Sequence, residues 1–435
     1  MDQLTGRLHV VLTAAVTALV TIALVAFHVS VARSVWSEIA LAAWCAVLLA
    51  HAWRLAGGRR DRLVAAGAIA PVLLAFGLLR LDASGIDRAL TEARHSGDCA
   101  QALNALDRIW LGHRVAHVTA TARGDQTVRA CQRLQAAKDH LAIALTGETN
   151  ALQLGFHALA TVLADLPGHE KMVEVTLDGF LGALPTGNPC RTVEVTAWLR
   201  ERQASNNVLD RSTDVVTRTA PPALVGCGDE LMAAKAWEEA RARYRQVLDQ
   251  YPGHELAPKA RDGVKQATLA FELANVRSLL RGRPPAYCST PAQYSGAAPH
   301  GTATGTNRSL FYGNDEYTDR LPAEWRTDDP AEAVLVICAG DEEFGTPVRT
   351  CPYENKMFPR FPTNVTFRKI MIPLKVYELR TAKLVAETSV EIGGASCPQR
   401  LSYTYYVTDL GPPSEVYVEA SDADVHAAFR SLIIP

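Results

Sequence analysis

The stretch LHVVLTAAVTALVTIALVAFHVSVA (residues 8–32) contains no Asp, Glu, Lys or Arg. It is followed by VWSEIALAAWCAVLLAHAW (35–53), whose one acidic or basic residue is Glu38, and by LVAAGAIAPVLLAFGLL (63–79), which has none. A bilayer's hydrocarbon core takes about 20 apolar residues per helix, with about 17 near the lower limit. The three stretches therefore read as membrane spans, and residues 1–82 as a three-span anchor. Arg54, Arg59, Arg60 and Arg62 cluster between the second and third spans. Positive loops stay cytoplasmic, so the expected topology is a cytoplasmic N-terminus with everything after Leu81 outside, in a cell membrane. A cleaved signal peptide has an apolar core of about 7–15 residues, shorter than the first stretch. His28 and His51 lie near span ends and Glu38 at an interface. None sits at mid-membrane, so the block reads as an anchor rather than a transport path.

Charge and cysteine content agree with that placement. Seven of the 44 basic and four of the 46 acidic residues fall in the first 82 positions, leaving 37 basic and 42 acidic. A mildly acidic remainder argues against nucleic acid, which selects a basic face. Cys45 lies in the second apolar stretch. Cys99, Cys131, Cys190, Cys227, Cys288, Cys338, Cys351 and Cys397 all follow the third. An even number of cysteines outside the cytoplasm reads as disulfides. Spacing suggests Cys99–Cys131, Cys190–Cys227, Cys338–Cys351 and Cys288–Cys397, with Cys45 free.

From Ser84 the apolar residues recur at helical spacing, as in Ile86, Leu90 and Ala93. Breaks are expected at Gly97-Asp98, Gly124-Asp125, Gly147, Pro167-Gly168, Pro185-Gly187, Pro221-Pro222 and Pro252-Gly253. Residues 83–281 thus read as antiparallel helices joined by short turns. The last segment, 256–281, is polar on one face (Lys259, Arg261, Asp262, Lys265, Gln266), as a capping helix should be.

One stretch is sharper. Pro221 to His254 ends in KAWEEARARYRQVLDQYP (235–252) followed by Gly253-His254. It resembles a tetratricopeptide (TPR) repeat, a 34-residue helix–turn–helix unit. Gly228 stands at the family's small eighth position, Ala240 at its twentieth, Tyr244 at the aromatic twenty-fourth and Pro252 at the thirty-second. Leu224, Cys227 and Leu231 depart from the family's tryptophan, leucine and tyrosine. Looser echoes are SGDCAQALNALDRIW (96–110), with Ala102 and Leu106, and the helix carrying Gly155, Leu159 and Val162. The resemblance implies a helical solenoid with a concave groove for proteins or peptides. The chain as a whole is similar to membrane-anchored repeat proteins of actinobacteria, a likeness that carries no activity.

Composition changes at Arg281. Residues 282–306 are rich in Pro, Gly, Ser, Thr and Ala and read as a linker. Beyond it, 307–435 reads as a small, disulfide-linked, mainly antiparallel β domain. Expected strands are 333–339, 365–379, 384–392, 401–407 and 415–419, with a turn at Arg380-Thr381-Ala382-Lys383 and a Ser-capped helix over 421–432.

The search for chemistry is short. Phosphate loops, dinucleotide fingerprints, nucleophile elbows and His-Glu-x-x-His are absent from the sequence. His113 and His117 have helical ligand spacing but no third partner, and read as surface histidines. Asp341, Glu342 and Glu343 read as a solvated turn, and Tyr403, Tyr405 and Tyr406 as strand packing. No cofactor, metal or catalytic residue is expected, and the chain does not read as an enzyme. The expected function is a membrane-anchored extracytoplasmic scaffold that binds a protein or peptide partner and no nucleic acid. The alternatives are a sensor or transport-accessory subunit of the cell envelope, and an envelope enzyme with its site in the C-terminal domain. The sequence is silent on oligomeric state.

Overall fold

The computed structural model describes residues 59–110, 112–113, 118–301, 306–354, 360–405, 409 and 411–434, and the isolated positions 43, 46, 47 and 50. Side chains of the first helix are described from Gly77, and those of the third from Arg123. Two units divide the chain, 1–227 and 228–435.

The first unit is helical. Its elements are α1 (Arg59–Ser96), α2 (Cys99–Leu106), α3 (Val118–Ala144), α4 (Thr149–Asp165), α5 (Glu170–Gly182), α6 (Pro189–Glu201) and most of α7 (Ser212–Ala233). The breaks at Gly97-Asp98, Gly147, Pro167-Gly168 and Pro185-Gly187 fall between helices. Gly97, Gly147 and Gly168 take positive φ there, a conformation that costs glycine little. Asp98 caps α2 by accepting from the Gln101 amide, and Asn188 caps α6 by accepting from the Arg191 amide.

Two other expected breaks do not occur. α3 runs through Gly124-Asp125, and α7 runs through Pro221-Pro222. A proline in a helix interior costs about 3 kcal/mol, yet burial of the surrounding Ala220, Ala223, Leu224, Val225 and Cys227 overrides it. α3 packs on α4. The contact is close enough that a Cβ on Gly155 would meet the Leu141 side chain at 2.7 Å.

The expected three transmembrane helices are corrected here: among the described residues no helix is long and apolar enough to cross a membrane. The stretches 8–32 and 35–53 and the arginines at 54–62 lie almost wholly outside the described residues, so the topology drawn from them does too. The third stretch belongs to α1, which does not end near residue 82 but continues to Ser96. No strong stop signal separates Leu79 from Ser96. Over this continuation Ala83, Ile86, Leu90 and Ala93 form a stripe buried in protein.

The second unit opens with the end of α7, then α8 (Trp237–Gln250) and α9 (Ala257–Leu279). Its sheet strands are β1 (Ser309–Tyr312), β2 (Leu335–Ala339), β3 (Glu343–Tyr353), β4 (Thr363–Glu378), β5 (Lys383–Ile392) and β6 (Glu415–Tyr417). α10 (Asp315–Thr318) lies between β1 and β2, and α11 (Asp422–Ile433) ends the unit. β4 is the spine. β2 pairs with Leu374–Glu378 and β3 with Thr363–Met371 along one edge; β5 and β6 take the other edge. β1 pairs parallel with β2, and β6 parallel with β4. The sheet is therefore mixed: the long pairings of β4 with β2, β3 and β5 are antiparallel, as expected, and two short parallel pairings are added to them.

Both sheet faces are covered. α11, with Val425, Phe429 and Ile433, joins Leu335, Ile337, Ile372, Leu374 and Val376 on one face. Val276 and Leu280 from α9, with Tyr287 and Ala297, join Val336, Tyr377 and Leu379 on the other. The expected linker is thus part of the fold. Tyr287 is fully buried, the Tyr294 amide donates to the Leu379 carbonyl at 2.8 Å, and the His300 amide donates to Glu378 at 3.0 Å. Pro and Gly shape an irregular covering layer here rather than a free tether. The compositional boundary at 281/282 accordingly falls inside the second unit.

The disulfides are Cys99–Cys131, Cys190–Cys227, Cys288–Cys338 and Cys351–Cys397. The first two are the pairs that spacing suggested. The expected Cys338–Cys351 and Cys288–Cys397 are corrected, and the register supplies the reason. Cys338 lies opposite Lys375 and Cys351 opposite Val365, ten residues apart along β4, or roughly 33 Å. The loop read between these cysteines is largely strand β3. Of the other expected strands, 401–405 carries no strand and 406–407 lies outside the described residues.

The TPR-like solenoid is corrected as well: among the described residues no repeat array is delimited, and α8 and α9 fall in the same unit as the mixed sheet. Two of the four quoted residues, Gly228 and Tyr244, meet within the second unit. Gly228 lies under the Tyr244 ring, where a Cβ would come within 2.6 Å of it. Ala240 and Tyr244 are buried, and Pro252 follows α8. Tyr244 donates to Asp229 at 2.6 Å, and Lys259 reaches the same carboxylate at 2.8 Å. Burial alone would raise the Asp229 pKa; the Lys259 and Tyr244 hydrogen bonds and the Lys259 charge outweigh it and hold the group below its usual range.

Candidate functional site

The strongest candidate lies in the helical unit and was not anticipated from the sequence. One face of α3 presents Cys131, Leu134, Gln135, Lys138, Leu141 and Ala142, continued by Leu145 just past its end, a stripe at helical spacing. Facing it, α5 presents Val175, Thr176, Gly179 and Phe180, and the α1–α2 junction closes one end with Ser96 to Cys99. Together they bound a solvent-open groove of about 660 Å³. Leu134, Leu141 and Phe180 form a buried floor, while Val175 on the rim is 42% exposed. The Cys99–Cys131 bridge sits in the end wall, its Cα atoms 5.5 Å apart.

The groove's charges are few. The Asp98 carboxylate is engaged in capping α2. Gln135 donates to Asp139 at 2.8 Å. Glu174 and Asp178 on α5 pair with Arg211, and Glu174 also with Lys171. Lys138 forms no ion pair or hydrogen bond among the described residues. A Cβ built on Gly179 meets nothing within 4 Å, so the α5 wall has room at this position for a larger side chain.

His169 anchors the α5 wall. It precedes α5 and is inaccessible to solvent. Its Nδ1 is 3.0 Å from the Leu166 carbonyl, which can only accept, so neutral His169 carries its proton on Nδ1. Nε2, 3.1 Å from the Thr127 hydroxyl on α3, then accepts. Burial pushes the imidazole pKa down, and the nearby Arg94 guanidinium adds to this; the backbone contacts at Leu166 and Pro167 and the Glu170 charge oppose it.

A second depression lies in the sheet unit, beyond the carboxyl ends of β1 and β2. A cleft of about 550 Å³ is lined by Pro284, Pro285, Tyr312, Asn314 and Asp328 among others. It shares Pro284, Pro285, Tyr312 and Gly313 with a smaller one of about 290 Å³. Gly313 has φ +83°, and a Cβ there would strike the Ala339 carbonyl at 2.2 Å. Its charges are largely self-neutralised, Arg326 with Asp319 at 2.8 Å and Arg283 with Asp315 at 3.3 Å. Convergent acid–base pairs or nucleophiles are not among its lining residues.

The remaining sequence candidates are placed apart. His113 is buried rather than on the surface: Nε2 donates to Asp82 at 3.0 Å and Nδ1 accepts from the Trp110 amide. It ties Trp110 to α1. His117 lies outside the described residues. Asp341, Glu342 and Glu343 are exposed; the Glu342 carbonyl accepts from Tyr417. Tyr403 donates to Asp409, Tyr405 is exposed, and Tyr406 lies outside the described residues. Among the described residues no group of three or more His, Cys, Asp or Glu could hold a metal ion.

The groove itself left one trace in the sequence, the α3 stripe. Such a stripe marks buried faces generally, and only the position of α5 makes part of it open. Compared with protein-family models, with curated proteins and with solved structures, the chain finds no match.

Proposed function

We propose that this protein is an extracytoplasmic binding protein whose helical unit holds a segment of a protein or peptide partner in the α3/α5 groove. The observation that carries this reading is the open groove with an apolar floor. Binding sites are typically concave and lined mainly by apolar side chains, and Val175 leaves part of this lining accessible. Four disulfides support work in an oxidising compartment, where such bonds persist.

The test is site-specific photocrosslinking in cells. A photoreactive residue at Val175 should yield a discrete adduct with another protein. The same residue at Leu154, exposed on α4 but outside the groove-lining set, should not. Gly179→Trp, which fills the room at this position of the α5 wall, should abolish the Val175 adduct. An adduct that persists unchanged in Gly179→Trp overturns the reading.

A further inference from the structure

Building on that reading, we infer that the occupant is an amphipathic helix of about four turns that carries a carboxylate against Lys138. Three observations converge.

The first is backbone chemistry. Both long walls are α-helices, whose N–H and C=O groups are satisfied internally. They offer no ladder to an extended strand. A strand laid here would give up hydrogen bonds to water and receive none in return, whereas a helix brings its own.

The second is dimension. The α3 stripe from Cys131 to Leu145 is about 21 Å long at 1.5 Å per residue, the length of a four-turn helix. On the α5 wall, Gly179 leaves space for one bulky anchor side chain. Val175, Ala142 and Leu145 offer the accessible apolar surface for the flanking turns, over the buried Leu134, Leu141 and Phe180.

The third is charge. Asp98 is committed to its helix cap, and the α5 carboxylates are turned to Arg211 and Lys171. Lys138 is the one charged groove residue left without a partner among the described residues. The complementary helix therefore presents Glu or Asp on that flank. An apolar helix with Lys or Arg there would meet a like charge.

Fluorescein-labelled synthetic peptides of about 15 residues test this by anisotropy, on the full chain with its disulfides intact. One peptide places Leu at helical spacing with Glu along one flank. A second replaces each Glu by Lys, and a third carries the acidic composition with a central Pro. The acidic helix should bind more tightly than the basic one by about three- to tenfold, the range of an exposed ion pair exchanged for a repulsion. Lys138→Glu, on an exposed position that spares the fold, should invert that preference. The Pro peptide should bind at least tenfold more weakly. Charge-blind binding, equal binding of the Pro peptide, or no binding by any of the three overturns the inference. If that happens while the Val175 crosslink remains sensitive to Gly179→Trp, the inference falls and the groove reading stands. If the crosslink is insensitive, the reading falls. A thermal melt of each variant, with Gly179→Ala as a companion, separates a blocked groove from an unfolded one.

Discussion

The two units solve the same problem in opposite ways. In the helical unit the chain packs mainly against its neighbours in sequence, α3 on α4 and α1 on α2. Its disulfides close spans of 32 and 37 residues. In the sheet unit the central strand gathers partners from β2 to β6, and the disulfides span 50 and 46 residues. Local packing can be inferred from spacing. Assembly around β4 cannot, because the identity of each strand's neighbour is a long-range fact. The contrast explains why two disulfides were legible and two were exchanged.

The sharpest way to break this comparison is to treat 282–306 as the tether its composition suggests. Tyr287→Ala should destabilise the sheet unit by about 3–5 kcal/mol, the range for emptying a buried aromatic site. Tyr287→Phe, which loses only the hydrogen bond to the Ala292 carbonyl, should cost about 0.5–1.5 kcal/mol. Denaturant unfolding of both variants decides it. Equal stability of wild type and Tyr287→Ala would return the segment to a linker.

Next in size is the disulfide exchange. Cys288→Ser with Cys338→Ser should cost about 4 kcal/mol on the loop-entropy account, within the usual range of about 2–5 kcal/mol. Non-reduced peptide mapping checks the pairing directly. A Cys338–Cys351 peptide pair would contradict the β4 register.

A smaller effect tests the packing of the buried face of α8. Ala240 is fully buried, whereas Ala242 is exposed. Ala240→Leu should destabilise by about 1–3 kcal/mol through overpacking, and Ala242→Leu should be near neutral. Equal melting temperatures for the two would contradict that packing.

The smallest expected effect is on pH. Buried His169 has a folded-state pKa below its unfolded value of 6.5. Its contribution is fully present above that unfolded pKa. It declines as pH falls toward the lowered folded pKa, because in that window the unfolded chain binds a proton that the folded one resists. The helical unit should therefore lose stability below about pH 6.5. His169→Gln should be less stable at pH 7.5 yet show a shallower slope between pH 6.5 and 5. Parallel slopes for the two proteins would assign acid sensitivity elsewhere.

Residue patterns alone carried a good deal of the fold. Helical periodicity and Gly or Pro turns located most helices of the first unit. Alternation located β4, a buried apolar run β2 and a hairpin turn β5, and a capping Ser421 announced α11, where the structure adds Asp424 to complete a capping box. They failed where a local signal was overruled: α7 runs through two prolines because burial holds it, and α1 continues past its apolar stretch because Ile86 and Leu90 find a core. β3 was missed because it is an edge strand, with Pro347, Pro352 and two register shifts in place of alternation.

What the sequence by itself determined is therefore where most helices and four of the six described strands lie, and that eight cysteines follow its apolar start. What only the tertiary structure decided is which segments meet. The β4 spine, the two long-range disulfides, the covering role of 282–301 and the groove between α3 and α5 all depend on it. The physical reason is that propensity and periodicity are set by neighbours a few residues away. A groove, a register or a disulfide partner is set by residues brought together across tens of positions, by burial that leaves no local trace.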